Sequence, residues 1–120
     1  IMASLKVNKN NVDRWGIFSI AKTLDKDNFK ISDVVEKPKI KDAPSNNAVI
    51  GRYILNKDIF SFLKNQKKGK GGEIHITDAI KKMIYRDKKF YAKIFSGKYL
   101  DCGTLKGYIE SNNLIGNLNK

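Results

Sequence analysis

The sequence predicts an α/β fold laid out as a single domain over residues 1–120. Short apolar runs at Ile1 to Val7, Trp15 to Ile20, Phe29 to Val35 and Ala48 to Leu55 are bounded by polar or proline-marked connections, as strands are. Later stretches carry apolar residues three and four apart, the period of a half-buried helix. A chain of this length can bury about two-thirds of its unfolded surface, enough for one core.

In order, the first strand begins at Ile1 with no cap or turn ahead of it, so its neighbours are expected from upstream sequence or a partner subunit. After the polar NKNN stretch a second strand runs from Trp15 to Ile20, with Gly16 near its start. A glycine there marks a bulge, the commoner case, or a place where something approaches the backbone closely. Thr23 to Asn28 reads as a hairpin connection. The third strand, Phe29 to Val35, runs into Glu36, Lys37 and Pro38. Proline disfavours helix in the residue before it, so Glu36 and Lys37 are expected in extended backbone, their side chains on opposite faces. They serve one ligand only where it wraps the strand end or the backbone twists. Chemically they are complementary: a carboxylate accepts hydrogen bonds from sugar hydroxyls, and an ammonium neutralises phosphate. A charged pair before proline is also, and more often, a solvated strand end.

Asn56 is placed to cap a helix over Lys57 to Asn65, with Ile59, Phe60 and Leu63 on one face. Gln66 to Gly72, QKKGKGG, lacks the spacing of a P-loop and reads as a surface loop. Thr77 is expected to cap the next helix, with Asp78 in its first turn and Ile80, Met83 and Ile84 sharing a face. A carboxylate at such a junction can also contribute to a Mg²⁺ site, which takes oxygen ligands. His75 is the only histidine, which excludes a histidine metal cluster. Phe90 to Phe95 and Lys98 to Leu100 read as strands separated by Gly97. Thr104 caps a last helix with Leu105, Tyr108 and Ile109, and the polar stretch from Asn112 is expected to fray.

The net charge of +12, from 24 basic and 12 acidic residues, raises a nucleic acid or acidic surface as partner. Against it, only Arg14, Arg52 and Arg86 are arginine, the lysines are dispersed, and no groove-reading or base-stacking motif is present. No run approaches the roughly 18 apolar residues of a membrane span, and the single Cys102 fits a reducing compartment. A cytoplasmic location is the expectation.

The strings VVEKP, APSN, AVIGRYIL, GGEIHITDAI and DCGTLKGYIES, in that order between Val12 and Asn112, resemble the C-terminal part of bacterial UTP–glucose-1-phosphate uridylyltransferases, a family of sugar-phosphate nucleotidyltransferases. The resemblance implies a Rossmann-like nucleotide-diphospho-sugar transferase fold with a mixed sheet and flanking helices. The chain would be its C-terminal, sugar-binding half, a partial domain lacking the N-terminal nucleotide-binding half. It implies a reaction in which a sugar phosphate oxygen attacks the α-phosphorus of UTP, giving UDP-glucose and pyrophosphate. Glu36 and Gly16 would hold glucose hydroxyls, Lys37 would neutralise the sugar-linked phosphate, and Asp78 would help hold Mg²⁺ beside an aspartate from the absent half. The implied partners are UTP, glucose 1-phosphate and the missing half or like subunits of a homo-oligomer. The chain departs from the family at Asn47, where an apolar residue is usual after PSN, and at Tyr99-Leu100 before DCG. Polar Asn47 would cost stability if buried without partners. Inactivity of this chain alone is therefore expected. The competing readings are a noncatalytic assembly piece that pairs through the sheet edge at Ile1 and a basic nucleic-acid binder.

Overall fold

Residues 1–118 are described in a computed structural model. Five strands close in the order β1 (Met2–Lys6), β4 (Asn47–Tyr53), β2 (Gly16–Thr23), β3 (Asn28–Glu36) and β5 (Phe90–Ile94), which returns to β1. The β5–β1 pairing is parallel and the others are antiparallel, so the sheet is mixed, as expected. Its closure into a small barrel was not expected of a Rossmann-like sheet. The cause lies in the β2–β3 hairpin, whose register shifts between Ser19 and Lys22. Bulges of this kind bend a strand and increase its twist. One end of the hairpin therefore meets β4 at Ile17 and Ala48, and the other meets β5 from Asn28 to Ile31.

β1 is not an edge. It has β4 on one side and β5 on the other, which overturns the expectation that the strand opening the chain pairs elsewhere. Between β1 and β4 the register passes from Met2 opposite Tyr53 to Ser4 opposite Val49, leaving extra residues on β4. Gly51, at φ 72°, supplies the left-handed turn that this bulge requires.

Strand alternation sends consecutive residues to two cores. Phe18, Val34, Val49 and Met2 join the main core with Phe29, Ile31, Phe90 and Ala92. Ile17 and Ala48, one position away, pack with Val12 beneath the 3₁₀ turn Lys9–Arg14. The main core is covered by α1 (Ile59–Lys64) and α2 (Ile76–Tyr85) through Ile59, Ala79, Ile80 and Met83. Asn56 does not cap α1: its Oδ1 accepts from the Asp58 amide at 3.0 Å within a turn ahead of the helix, Asp58 takes the cap position without a side-chain cap bond, and the helix proper is shorter than expected. That turn rotates Phe60 outward, to 72% exposure, and brings in Phe62 instead.

α2 is fastened to β3 by Asp33, whose Oδ2 accepts from Lys81 Nζ at 2.9 Å and from Tyr85 Oη at 3.3 Å. Lys98–Leu100 is not a strand. Thr104 Oγ1 accepts from the Gly107 amide at 3.1 Å and so caps α3 (Leu105–Leu118), which continues through Asn112 instead of fraying.

Two predictions follow from this packing. Asn47 is buried and its Oδ1 has no hydrogen-bond partner. Leucine has nearly the same branched shape without the polar atoms, so Asn47→Leu is expected to stabilise the fold by about 1–2 kcal/mol in urea denaturation; a loss of stability would mean the amide has a role. Burial alone would lower the pKa of Lys81, but its bonds to Asp33 and Tyr85 and the Asp33 charge outweigh this and raise it above the usual 10.5. A raised folded pKa gives stability that is complete below the unfolded value and is lost as pH rises through the folded one. Denaturation midpoints should therefore fall more steeply above about pH 10.5 in the native chain than in Lys81→Met.

Candidate functional site

Gly16 pairs with Glu36 across β2 and β3, placing a residue without a side chain beside a carboxylate. A Cβ at Gly16 would lie 3.0 Å from Glu36 Oε2, 3.2 Å from Thr77 Cγ2 and 3.3 Å from Val49 Cγ2. The register is regular here, and the bulges of β2 lie further along. Close approach, not a bulge, is what glycine serves at this position.

Thr77 Oγ1 donates to Glu36 Oε2 at 2.8 Å. Sequence patterning assigned Thr77 to the helix cap, but α2 begins two residues earlier than that cap implies, at Ile76, and His75 occupies the cap position without a side-chain cap bond. Thr77 thus sits inside the first turn, and its hydroxyl reaches across to β3. Gly16, Glu36 and Thr77 line a cavity of about 300 Å³ together with Trp15, Tyr53 and Tyr99. Burial, and then the nearby Glu36 charge, hold the Tyr53 hydroxyl above its usual pKa, so it stays protonated at neutral pH and can donate. Trp15 and Tyr99 meet edge to face with centroids 5.1 Å apart, and Arg14 pairs with Asp101 at 3.7 Å. These contacts hold the segment after β5 against the cavity.

Lys37 is not in extended backbone. Its φ is 44° and its amide donates to the Trp15 carbonyl at 2.9 Å, so the last ladder bond outweighs the bias imposed by Pro38 and the chain twists directly after Glu36. The residues lining the cavity do not include Lys37 or Asp78. Asp78 instead lines a separate cavity of about 520 Å³ with Lys67, Lys68, Gly69, Lys81 and Lys82. The Lys-Gly loop is wrapped against it: a Cβ on Gly69 would come 2.6 Å from Asp78 Oδ2. Among the described residues no three metal-ligating side chains gather, and Asp78 is the one carboxylate lining this cavity, so further oxygen donors for Mg²⁺ would have to come from outside these residues.

The structure therefore brings together Gly16 and Glu36 and adds Thr77, Tyr53, Trp15 and Tyr99, which sequence reasoning did not select. Tyr53 lies within the string AVIGRYIL and Trp15 directly precedes Gly16, yet as aromatics at expected strand positions they carry no signal distinguishing a cavity wall from a core. Two substitutions test the cradle. Thr77→Val keeps the shape and removes the donor to a charged acceptor, at an expected cost of about 1–2 kcal/mol in denaturation, whereas Thr77→Ser should stay close to the native chain. Gly16→Ala forces three neighbours apart and should cost about 1–3 kcal/mol; a neutral result would mean the cradle is not tight.

Comparison with known proteins agrees with this architecture. The family model described as nucleotidyl transferase matches residues 2–117. The UTP–glucose-1-phosphate uridylyltransferase of Pseudomonas aeruginosa is 43% identical over 113 residues, covering 94% of this chain and 40% of that protein. The protein of the same name from Mycoplasma genitalium is 39% identical, covering 89% of this chain and 37% of its own length. A solved structure of UDP-glucose pyrophosphorylase complexed with UDP-glucose superposes with a TM-score of 0.90 at 44% identity, over 97% of this chain and 43% of that one. The chain thus spans about two-fifths of the length of these relatives, and the matches establish that share, not the C-terminal placement implied by the order of its motifs. With a family model covering nearly every residue and a fold shared at this level of identity, the chain belongs to the nucleotidyl transferase family.

Proposed function

We propose that this chain forms the sugar-phosphate-binding part of a UTP–glucose-1-phosphate uridylyltransferase, the enzyme that converts UTP and glucose 1-phosphate to UDP-glucose and pyrophosphate. The supporting observation is the cradle in which Thr77 holds the Glu36 carboxylate beside the bare backbone of Gly16, at the wall of a cavity of about 300 Å³. One oxygen of Glu36 is occupied by Thr77, and the other accepts from hexose hydroxyls. Gly16 lets the sugar ring approach the backbone, and protonated Tyr53 donates from the facing wall. Lys37, at the twist directly after Glu36, neutralises the phosphate as a point charge.

The chemistry in this reading is positioning. A phosphate oxygen of glucose 1-phosphate attacks the α-phosphorus of UTP, the bond to the departing pyrophosphate breaks in line, and the rate depends on holding the two reactants in register. The described residues orient the sugar phosphate. Nucleotide-holding elements fall to the remaining length of the relatives, and no step is assigned to Asp78, since Mg²⁺ needs oxygens that these residues do not gather.

Two measurements on the purified chain test the reading. Calorimetry should detect glucose 1-phosphate binding, weakened at least tenfold in Glu36→Ala and in Lys37→Ala, and pyrophosphate release from UTP, glucose 1-phosphate and Mg²⁺ should be absent. Binding indifferent to both substitutions would remove the site. Turnover abolished by Asp78→Asn would show that the chain builds a whole active site, contrary to the division proposed.

A further inference from the structure

Between β5 and α3 the chain has no regular structure, and it contributes Tyr99 to the wall of the cavity that holds Gly16 and Glu36. The segment starts where the Phe95 amide donates to the Ser4 carbonyl at 2.7 Å, and it ends at the Thr104 cap of α3. Among the described residues no backbone hydrogen bond joins residues 96–103 to another element. Two side-chain contacts hold them instead: the edge-to-face meeting of Tyr99 with Trp15, and Asp101 at 3.7 Å from Arg14. Both members of the ion pair are well exposed, where such a pair is weak. A segment with few buried contacts and no ladder bonds opens locally at far less cost than the fold around it.

The residues that receive it are of the opposite kind. The Trp15 amide donates to the Val12 carbonyl at 3.2 Å, the Trp15 carbonyl accepts from the Lys37 amide at 2.9 Å, and the side chain packs against Val12, Ile17 and Ala48. Trp15 therefore belongs to the same fixed framework as Gly16 and Glu36, and Tyr99 is the partner free to leave. We infer that residues 97–103 form a strap that closes over a bound sugar phosphate, and that the Tyr99 ring is the contact through which the ligand closes it. A ligand shifts such an equilibrium only through contacts it makes in one state and not in the other. Tyr99 is the strap residue on the cavity wall, so its ring meets the ligand only when the strap is shut. A pyranose has C–H groups on its faces as well as hydroxyls at its rim, and an aromatic wall matches the first as Glu36 matches the second. The inference rests on the reading of this cavity as a sugar-phosphate site, and adds to it a positioning residue and a moving wall.

Trp15 and Cys102 are the only tryptophan and the only cysteine, and each stands one residue from an end of the Arg14–Asp101 pair. A bimane fluorophore on the exposed Cys102 is quenched by tryptophan at close range, so its emission reads strap closure in the purified chain. Emission should fall as glucose 1-phosphate is added, over the same concentrations at which calorimetry detects binding, and should not respond in Trp15→Phe. Tyr99→Phe keeps the ring and should bind and close like the native chain. Tyr99→Ala should leave the melting temperature unchanged, weaken binding about three- to tenfold and abolish the emission change at saturating ligand. Binding with constant emission would overturn the strap and leave the sugar site standing, and a Tyr99→Ala chain that binds and responds like the native one would overturn the role of Tyr99. A native chain that does not bind glucose 1-phosphate would remove the sugar-site reading, and this inference with it.

Discussion

Thr77 gives its hydroxyl to Glu36 across 41 residues of chain, and the space for that bond exists because Gly16 has no side chain. A carboxylate at a strand end would otherwise be one more solvated charge with many rotamers. Held by a part-buried hydroxyl, it has a fixed direction, and fixing direction in advance is what makes a hydrogen-bonding group selective for a ligand. The same bond ties the first turn of α2 to the last residue of β3. Asp33 ties the other end of the helix to the middle of that strand through Lys81 and Tyr85. α2 is thus anchored at both ends to one strand, and its apolar face closes the main core between the anchors.

Closure of the sheet serves the same arrangement. Because β2 bends at its bulges, its start can reach β4 while its far half pairs on toward β5, and the cavity forms at the end where Gly16, Glu36 and Val49 converge. The arrangement carries a cost at Asn47, buried next to the β4 residues that wall the site, with an amide oxygen that meets no donor. Natural chains carry a few such groups, and among the described residues Ser4 Oγ and Gln66 Oε1 are buried without a partner as well.

Much of this was legible in the sequence, for particular reasons. Four of the strands announced themselves as apolar runs between polar turns, and β5 did so within a run drawn one residue too long. Glu36 was found because a proline fixed where its strand stops, and Gly16 because a glycine in a strand requires an explanation. Thr77 was missed because local pattern offered a sufficient role: a threonine before an acidic residue and an apolar periodicity reads as a helix cap. Its true partner lies 41 residues away, and no periodicity encodes such a pairing. Phe60 was misplaced because Asn56 bonds within a turn ahead of the helix instead of capping it, and that turn rotates the helix face. Lys37 was misjudged because the proline bias was weighed without the ladder bond to Trp15, which only the paired strands reveal. Asp78 stood beside Thr77 in the sequence and was grouped with it; on a helix adjacent residues diverge by about 100°, and the two line different cavities.

The most direct measurement is amide chemical-shift mapping by NMR as glucose 1-phosphate is titrated into the chain. Saturable shifts concentrated at Gly16, Glu36, Tyr53 and Thr77, with the loop around Gly69 unmoved, are the expected result. Shifts confined to the lysine-lined cavity around Asp78, with the amides of Gly16 and Glu36 unchanged, would contradict the assignment of the sugar-phosphate site.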